Sequence, residues 1–168
     1  MLLSILKAKA RPGEDVNFEA EIKLDEKFVE DKNYKILTPA TVKGSYVYQN
    51  EELALQGNVS FKMLVVCDNC GEEFEKVINF VLEENFVENF NSHNEEDYLM
   101  INQTCIDLDK PVEDAFLLNL PTRMLCKETC KGLCGICGKN KNKYTCGCQE
   151  LKEEMENLEN PFEVLKNK

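Results

Sequence analysis

The sequence predicts an α+β fold, in which a mostly antiparallel β-sheet is covered by a helix and followed by a C-terminal cysteine-rich extension. Several segments alternate apolar and polar residues, one segment beyond the middle of the chain changes to helical spacing, and six of the nine cysteines lie within residues 125–148. A hydrophobic period of two is typical of half-buried strands, whereas a period near 3.6 is typical of helices.

Four segments carry the strand pattern, namely residues 16–24, 41–49, 58–66 and 74–82. Short polar turns separate the last three segments, which predicts an antiparallel meander. The second of these turns contains Cys67 and Cys70. We expect residues 25–40 to connect strands, and residues 83–97, which are acidic and rich in asparagine, to form a mobile loop.

Residues 107–120 carry the helical pattern. Asp109 can cap this helix, Pro111 suits its first turn, and Val112 and Phe116 fall on one face. Pro121 ends the helix, since the residue before a proline disfavours helical geometry. Apolar residues at helical spacing after residue 150 predict a further helix at the C-terminus.

The first compact group of cysteines has the spacing of a metal site. Zinc prefers four tetrahedral ligands, and a C-x-x-C turn directs two sulfurs at one ion. The glycine after the second cysteine permits the left-handed backbone of such a turn. The ligands predicted for one zinc ion are Cys134, Cys137, Cys146 and Cys148.

The other clustered cysteines leave two arrangements open. Cys67, Cys70, Cys126 and Cys130 can form a second zinc site, which leaves only Cys105 over as a core cysteine. Alternatively, Cys126 and Cys130 join Cys134 and Cys137, and the turn at Cys67 has no metal. The sequence therefore predicts one or two zinc ions. The only histidine, His93, lies in the acidic loop and is not expected to be a ligand.

These patterns predict one structural domain with two parts. Residues 1–121 form the antiparallel-sheet core with its covering helix, and residues 122–168 form the cysteine-rich zinc-binding segment with a C-terminal helix.

Charge is distributed unevenly along the chain. The net charge is -11, yet residues 121–148 contain six basic residues and one acidic residue, a local charge of +5. Candidate contacts for an RNA or a protein partner are Lys139, Lys141, Lys143, Lys131 and Arg123. Each four-thiolate zinc site carries a net charge of about -2, which offsets this excess and leaves the lysines at its rim.

Several classes of protein do not fit the sequence. The first apolar run stops at Leu6 and no run approaches the ~20 residues of a spanning helix, so we expect a cytoplasmic protein without membrane association. Redox C-x-x-C motifs usually precede a helix, whereas Cys67 lies between predicted antiparallel strands. The chain has no Gly-rich phosphate loop, and a cysteine nucleophile would need a histidine base. We expect no catalysis and no small-molecule substrate.

The chain resembles the YceD-like family, the large ribosomal RNA subunit accumulation proteins. The resemblance is carried by "VVCDNCGEEFE" at residues 65–75, "IDLDKPVEDAFLLNLP" at 106–121, "LCKETCKGLCGICGKNKN" at 125–142 and "NPFEVLKNK" at 160–168. It implies a non-catalytic ribosome-biogenesis factor that promotes accumulation or processing of large-subunit (23S) ribosomal RNA. The expected partner is ribosomal RNA or a large-subunit ribosomal protein. The alternatives are a zinc-ribbon adaptor that binds only protein and, ranked last, a thiol redox protein.

Overall fold

A computed structural model of the protein describes residues 1–24, 34–88 and 98–148. Its elements, in chain order, are β1 (Leu2–Ser4), α1 (Leu6–Ala10), β2 (Val16–Ile22), β3 (Tyr34–Ile36), β4 (Ala40–Gln49), β5 (Glu52–Val66), β6 (Glu73–Val87), β7 (Tyr98–Leu99), β8 (Cys105–Asp107) and α2 (Asp109–Asn119). The predicted C-terminal helix and His93 lie outside the described residues.

The chain divides into two compact units. Unit 1 comprises Met1–Val65 and Phe74–Thr122, and unit 2 comprises Val66–Glu73 and Arg123–Lys168, of which residues up to 148 are described. Unit 2 therefore takes in the connection between β5 and β6 in addition to the cysteine-rich segment. The sequence-predicted boundary after residue 121 stays a prediction.

A mixed β-sheet dominates unit 1. Its strand order is β2-β4-β5-β6-β7, and β3 also pairs with β5. The pairs β2–β4, β3–β5 and β4–β5 are antiparallel, whereas β7 runs parallel to β6. The predicted mostly antiparallel sheet is thus confirmed in outline, and the parallel edge strand is an addition to it.

Alternation along β5 explains which face of the sheet is covered. Every second residue from Leu53 to Val65 is buried, and the residues between them are exposed or half-buried. Because successive side chains of a strand point to opposite faces, one face carries the core and the other is solvated. The turn into β5 uses Asn50 and Glu51, whose φ angles of 55° and 67° are typical of a two-residue hairpin loop.

Helix α2 packs on the core face of this sheet. Phe116 is buried and its ring centroid lies 5.5 Å from that of Phe61 on β5. The hydroxyl of Tyr98 on β7 donates to Asp114 Oδ2 at 2.8 Å, which fixes the outer side of the helix to the sheet edge. The expected covering helix is present, with bounds one to two residues inside the predicted range.

The predicted acidic loop was wrong in extent. Strand β6 continues to Val87, so residues 83–87 belong to the sheet and not to a loop. Glu84 faces inward there, and burial raises its pKa with a further rise from nearby Asp114. An acidic residue at an inward position conceals the alternation in the sequence. The N-terminal residues also form β1, which pairs with β8, and helix α1, neither of which the sequence indicated.

Cys105 lies in β8 and is only partly buried, so it is not the fully buried core cysteine that its apolar neighbours suggested. No helix among the described residues is long and apolar enough to cross a membrane.

Substituting Gly44 with alanine is expected to destabilise unit 1. A Cβ atom at Gly44 would lie 2.0 Å from the backbone oxygen of Gln56 on β5, so the two strands would have to separate. Overpacking of this kind typically costs about 1–3 kcal/mol. Gly57, opposite Gly44, is the matched control, because its added Cβ would be 3.3 Å from the nearest atom. Urea denaturation of both variants should show the larger loss for Gly44→Ala; equal losses would contradict the close approach.

Candidate metal centre

The two C-x-x-C-G segments of unit 2 have the same backbone geometry. The amide of Gly71 donates to the carbonyl of Cys67 at 2.8 Å, and the amide of Gly138 donates to that of Cys134 at 2.9 Å. Both glycines are left-handed, with φ angles of 70° and 71°. A residue with a Cβ is strained at such angles. Each segment is therefore a tight turn that brings its two cysteine sulfurs together.

The structure brings eight cysteines together in two groups of four. Tetrad A consists of Cys67, Cys70, Cys126 and Cys130, and tetrad B consists of Cys134, Cys137, Cys146 and Cys148. The four sulfurs of each tetrad lie within 4.8 Å of one another. This grouping corresponds to the two-site arrangement and not to the alternative in which Cys126 and Cys130 join Cys134 and Cys137.

The sulfur–sulfur distances in tetrad A fit a metal and not a disulfide. The Sγ atoms of Cys67 and Cys130 are 3.8 Å apart, as are those of Cys70 and Cys126. Four sulfurs at about 2.3 Å from a tetrahedral zinc ion would be about 3.8 Å from each other. A disulfide requires about 2.05 Å. Both tetrads thus have the ligand number and chemistry of structural zinc sites.

Hydrogen bonds lower the pKa of two cysteines in tetrad A, Cys67 and Cys130, and of Cys134 in tetrad B. Burial raises the pKa of Cys67, but backbone amides, foremost that of Cys126, outweigh it and lower the pKa to about 6. The backbone amides of Cys137 and Ile136 lower the pKa of Cys134 to about 6. Burial, together with neighbouring cysteines, raises the pKa of Cys126 to about 12. Four thiolates without a cation would repel one another, and a divalent ion at the centre removes that repulsion.

The segment that carries Cys126 is fixed to the first turn by reciprocal bonds. The amide of Met124 donates to Asp68 Oδ2 at 2.5 Å, and the amide of Asp68 donates to the Met124 carbonyl at 2.9 Å. The side chain of Met124 is buried. These contacts explain how residues distant in sequence complete tetrad A.

The predicted contact residues differ in their surroundings. Lys131, Lys139 and Lys141 are exposed, and their side chains have no hydrogen-bond or ion-pair partner in the described part of the chain. In contrast, Lys143 forms an ion pair with Glu72, and Arg123 donates to Asn69 Oδ1 at 2.6 Å. Among the described residues, the side chains of the first three lysines are thus unpaired, whereas the other two side chains form bonds within unit 2.

The asparagines between these lysines face inward. In the sequence, Asn140 and Asn142 alternate with Lys139, Lys141 and Lys143, an order that would suit contacts of both residue types with phosphate. Instead Asn142 Nδ2 donates to Cys130 Sγ at 3.3 Å and to Asn140 Oδ1 at 2.9 Å. Sequence reasoning therefore missed Asn142 as a residue of the metal centre. The contact between Asn142 and Cys130 joins residues twelve apart, which spacing does not reveal. The only signal in the sequence was the position of Asn142 among the cysteines.

A family model described as "Large ribosomal RNA subunit accumulation protein YceD" matches residues 55–167, well over half of the chain. The chain belongs to the YceD family. The resemblance seen in the sequence is thereby confirmed, and the matched range contains all eight tetrad cysteines. Neither a curated protein nor a solved structure matches the chain.

Membership of the YceD family implies involvement in the accumulation of large-subunit ribosomal RNA, and the family description names no reaction. Ribosome-related partners follow from the same description. In addition, the eight tetrad cysteines of this chain are arranged as two sites that could each hold a structural metal ion.

Proposed function

We propose that the protein promotes accumulation of large-subunit ribosomal RNA as a non-catalytic binding protein, and that two zinc ions order the part that meets the RNA. One observation carries the proposal. Lys131, just before tetrad B, and Lys139 and Lys141, in the loop that tetrad B closes, are exposed and have no side-chain partner among the described residues. Their backbone is fixed, since the amide of Lys141 donates to the Gly132 carbonyl at 2.9 Å and the carbonyl of Lys139 accepts from Cys134 at 2.8 Å.

Metal binding would give this loop its shape without taking part in a reaction. A structural zinc ion with four cysteine ligands has no open coordination position for a substrate or a water molecule. Cys134, Cys137, Cys146 and Cys148 would hold one ion and Cys67, Cys70, Cys126 and Cys130 the other. Phosphate contacts from lysine side chains position a protein on RNA, and Tyr144, which is exposed, is available to stack on a base.

Charge favours a second candidate, an adaptor that binds a basic large-subunit protein. The described residues of unit 2 contain six basic and four acidic side chains, and two four-thiolate zinc sites contribute about -2 each. The described part of unit 2 would then be slightly negative, and the whole chain is strongly acidic. Charge complementarity attracts a basic protein to such a surface. The same acidity would limit RNA binding to sites where the three lysines dock specifically.

Reversing the three lysine charges is expected to weaken direct RNA binding and to reduce its dependence on salt. The variant carries Lys131→Glu, Lys139→Glu and Lys141→Glu, and its affinity for large-subunit ribosomal RNA is measured over a range of salt concentrations. Each single-stranded phosphate contact contributes about 0.7 to the slope of log affinity against log salt, so losing three contacts should reduce the slope by about 2.

A matched triple variant controls for total charge. Lys7, Lys35 and Lys110 are exposed lysines of unit 1 without side-chain partners in the described residues, and their replacement by glutamate should leave the salt slope unchanged. Zinc content is measured in both variants, because a lost metal would mimic a lost contact. An RNA affinity and a salt slope that stay unchanged in the first variant rule out direct contact through these lysines. If that variant instead loses a large-subunit protein, the adaptor function is correct.

A further inference from the structure

We infer that Asn142 couples the two metal sites, so that a metal ion in either tetrad strengthens metal binding in the other. The inference rests on the proposed zinc binding and adds a regulation of it. Asn142 lies in the chain between two ligands of tetrad B, Cys137 and Cys146, yet its side chain reaches tetrad A. Its Nδ2 atom donates to Cys130 Sγ at 3.3 Å. One side chain therefore belongs to the surroundings of both sites.

The amide group of Asn142 is held in one orientation. Its Oδ1 atom accepts from the amide of Lys131 at 2.9 Å, and only the oxygen can take that hydrogen bond. Its Nδ2 atom therefore faces Cys130 Sγ and also donates to Asn140 Oδ1 at 2.9 Å. Asn140 Oδ1 in turn accepts from the backbone amide of Asn142 at 2.9 Å. A donor fixed in this way stabilises the negative sulfur of a metal-bound cysteine.

The segment that links the two tetrads is also shared. Only residues 131–133 separate Cys130 of tetrad A from Cys134 of tetrad B. Gly132 is left-handed, with a φ angle of 68°, and its carbonyl accepts from Lys141 at 2.9 Å. The amide of Leu133 donates to the Asn69 carbonyl at 3.1 Å, which ties the segment to the first cysteine turn. A metal ion in either tetrad would have to order this segment.

Shared ordering makes binding at the two sites cooperative. The first metal ion bears the entropy cost of fixing residues 130–134 and the Asn142 side chain, and the second ion binds to a segment already fixed. Repulsion between the two negative zinc sites acts in the opposite direction. Salt weakens this repulsion, because the Debye screening length is about 8 Å at physiological ionic strength. The ordering of a shared segment does not depend on salt. We therefore expect positive coupling.

The test measures zinc affinity at each tetrad separately in the full-length chain. Zinc is titrated into metal-free protein against a chelator, and amide resonances of Gly71 and Gly138 report tetrads A and B respectively. Tetrad A is removed by Cys67→Ser with Cys70→Ser, and tetrad B by Cys146→Ser with Cys148→Ser. Each of these proteins is prepared with and without Asn142→Ala.

Removal of either tetrad is expected to weaken zinc binding at the other by the same factor, because coupling between two sites is reciprocal. Groups that orient metal ligands typically contribute 10- to 100-fold in affinity, so Asn142→Ala should weaken tetrad A by about tenfold and reduce the coupling. Thr129→Ala is the matched control, because this uncharged side chain lies between two ligands of tetrad A, is exposed and has no partner among the described residues. It should change neither affinity.

The outcomes separate the coupling from the metal proposal. If tetrad B binds zinc equally well with and without tetrad A, the sites are independent and the coupling is wrong. If the coupling survives Asn142→Ala, or if Thr129→Ala removes it as well, Asn142 does not carry it. If neither glycine resonance responds to zinc, the proposed zinc binding itself fails.

Discussion

Removing the metal ions with a chelator is expected to unfold unit 2 while unit 1 keeps its structure. The described part of unit 2 has three buried apolar side chains, those of Cys67, Cys70 and Met124. Fully burying a large apolar side chain such as that of Met124 contributes about 1.5–3 kcal/mol. A structural zinc site contributes about 10–16 kcal/mol to folding at neutral pH. The metal sites therefore outweigh this small core.

Unit 1 should not respond, because its core is independent of the cysteines. Its buried apolar residues come from β2, β4, β5, β6, β8 and both helices, and no tetrad cysteine is among them. Amide hydrogen exchange separates the two responses. Protection at Gly71 and Gly138 should be lost on chelation and regained on adding zinc, while protection in β4 and β5 stays unchanged.

Metal content supplies the control for this experiment. Purified protein should carry two zinc ions, and Cys134→Ser should lower the count at tetrad B, whereas Cys105→Ser should leave it at two because Cys105 belongs to neither tetrad. Unit 2 that stays protected after complete metal removal would contradict the prediction. Purified protein without zinc whose cysteines cycle through disulfides would instead support a thiol redox protein.

The difference between what the sequence indicates and what it conceals depends on how far apart the interacting residues are. Each C-x-x-C-G turn is local, because the glycine and both cysteines lie within five residues, and such turns are recognisable from spacing alone. The assignment of Cys126 and Cys130 to the turn at Cys67 depends on contacts such as the Asp68–Met124 bonds, which join distant segments. Spacing alone left that assignment open.

The lysine and asparagine alternation at residues 139–143 shows a second limit. Alternation implies two opposite faces only where the backbone is extended, and this loop turns instead. The amides of Lys143 and Tyr144 both donate to the Asn140 carbonyl, at 3.1 and 3.0 Å. In such a turn the asparagines can face the cysteines while the lysines face solvent. The sequence predicted which residues are polar and could not predict which of them point inward.

Replacing Phe116 with alanine is expected to cost unit 1 about 3–5 kcal/mol, the usual range for deleting a buried phenylalanine ring. The ring is 1% exposed, and it lies 5.5 Å from the Phe61 ring, which in turn lies 6.4 Å from Phe80. Aromatic pairs contribute about 0.5–1.5 kcal/mol beyond their buried area, so the loss should lie toward the upper end of the range. The free energy of unfolding of a small domain is about 5–15 kcal/mol, so the variant would lose a large part of its stability.

Leu118→Ala on the same helix is the matched control, because Leu118 is 86% exposed and such surface changes usually stay within about 0.5 kcal/mol. Both variants are unfolded in urea with zinc in excess, so that the metal sites contribute equally to each. A large loss for Phe116→Ala alone means that α2 forms part of the core of unit 1, since its buried side carries the stability. Equal losses would mean that the helix covers the sheet without being packed into it, and the predicted helix-on-sheet core would be wrong.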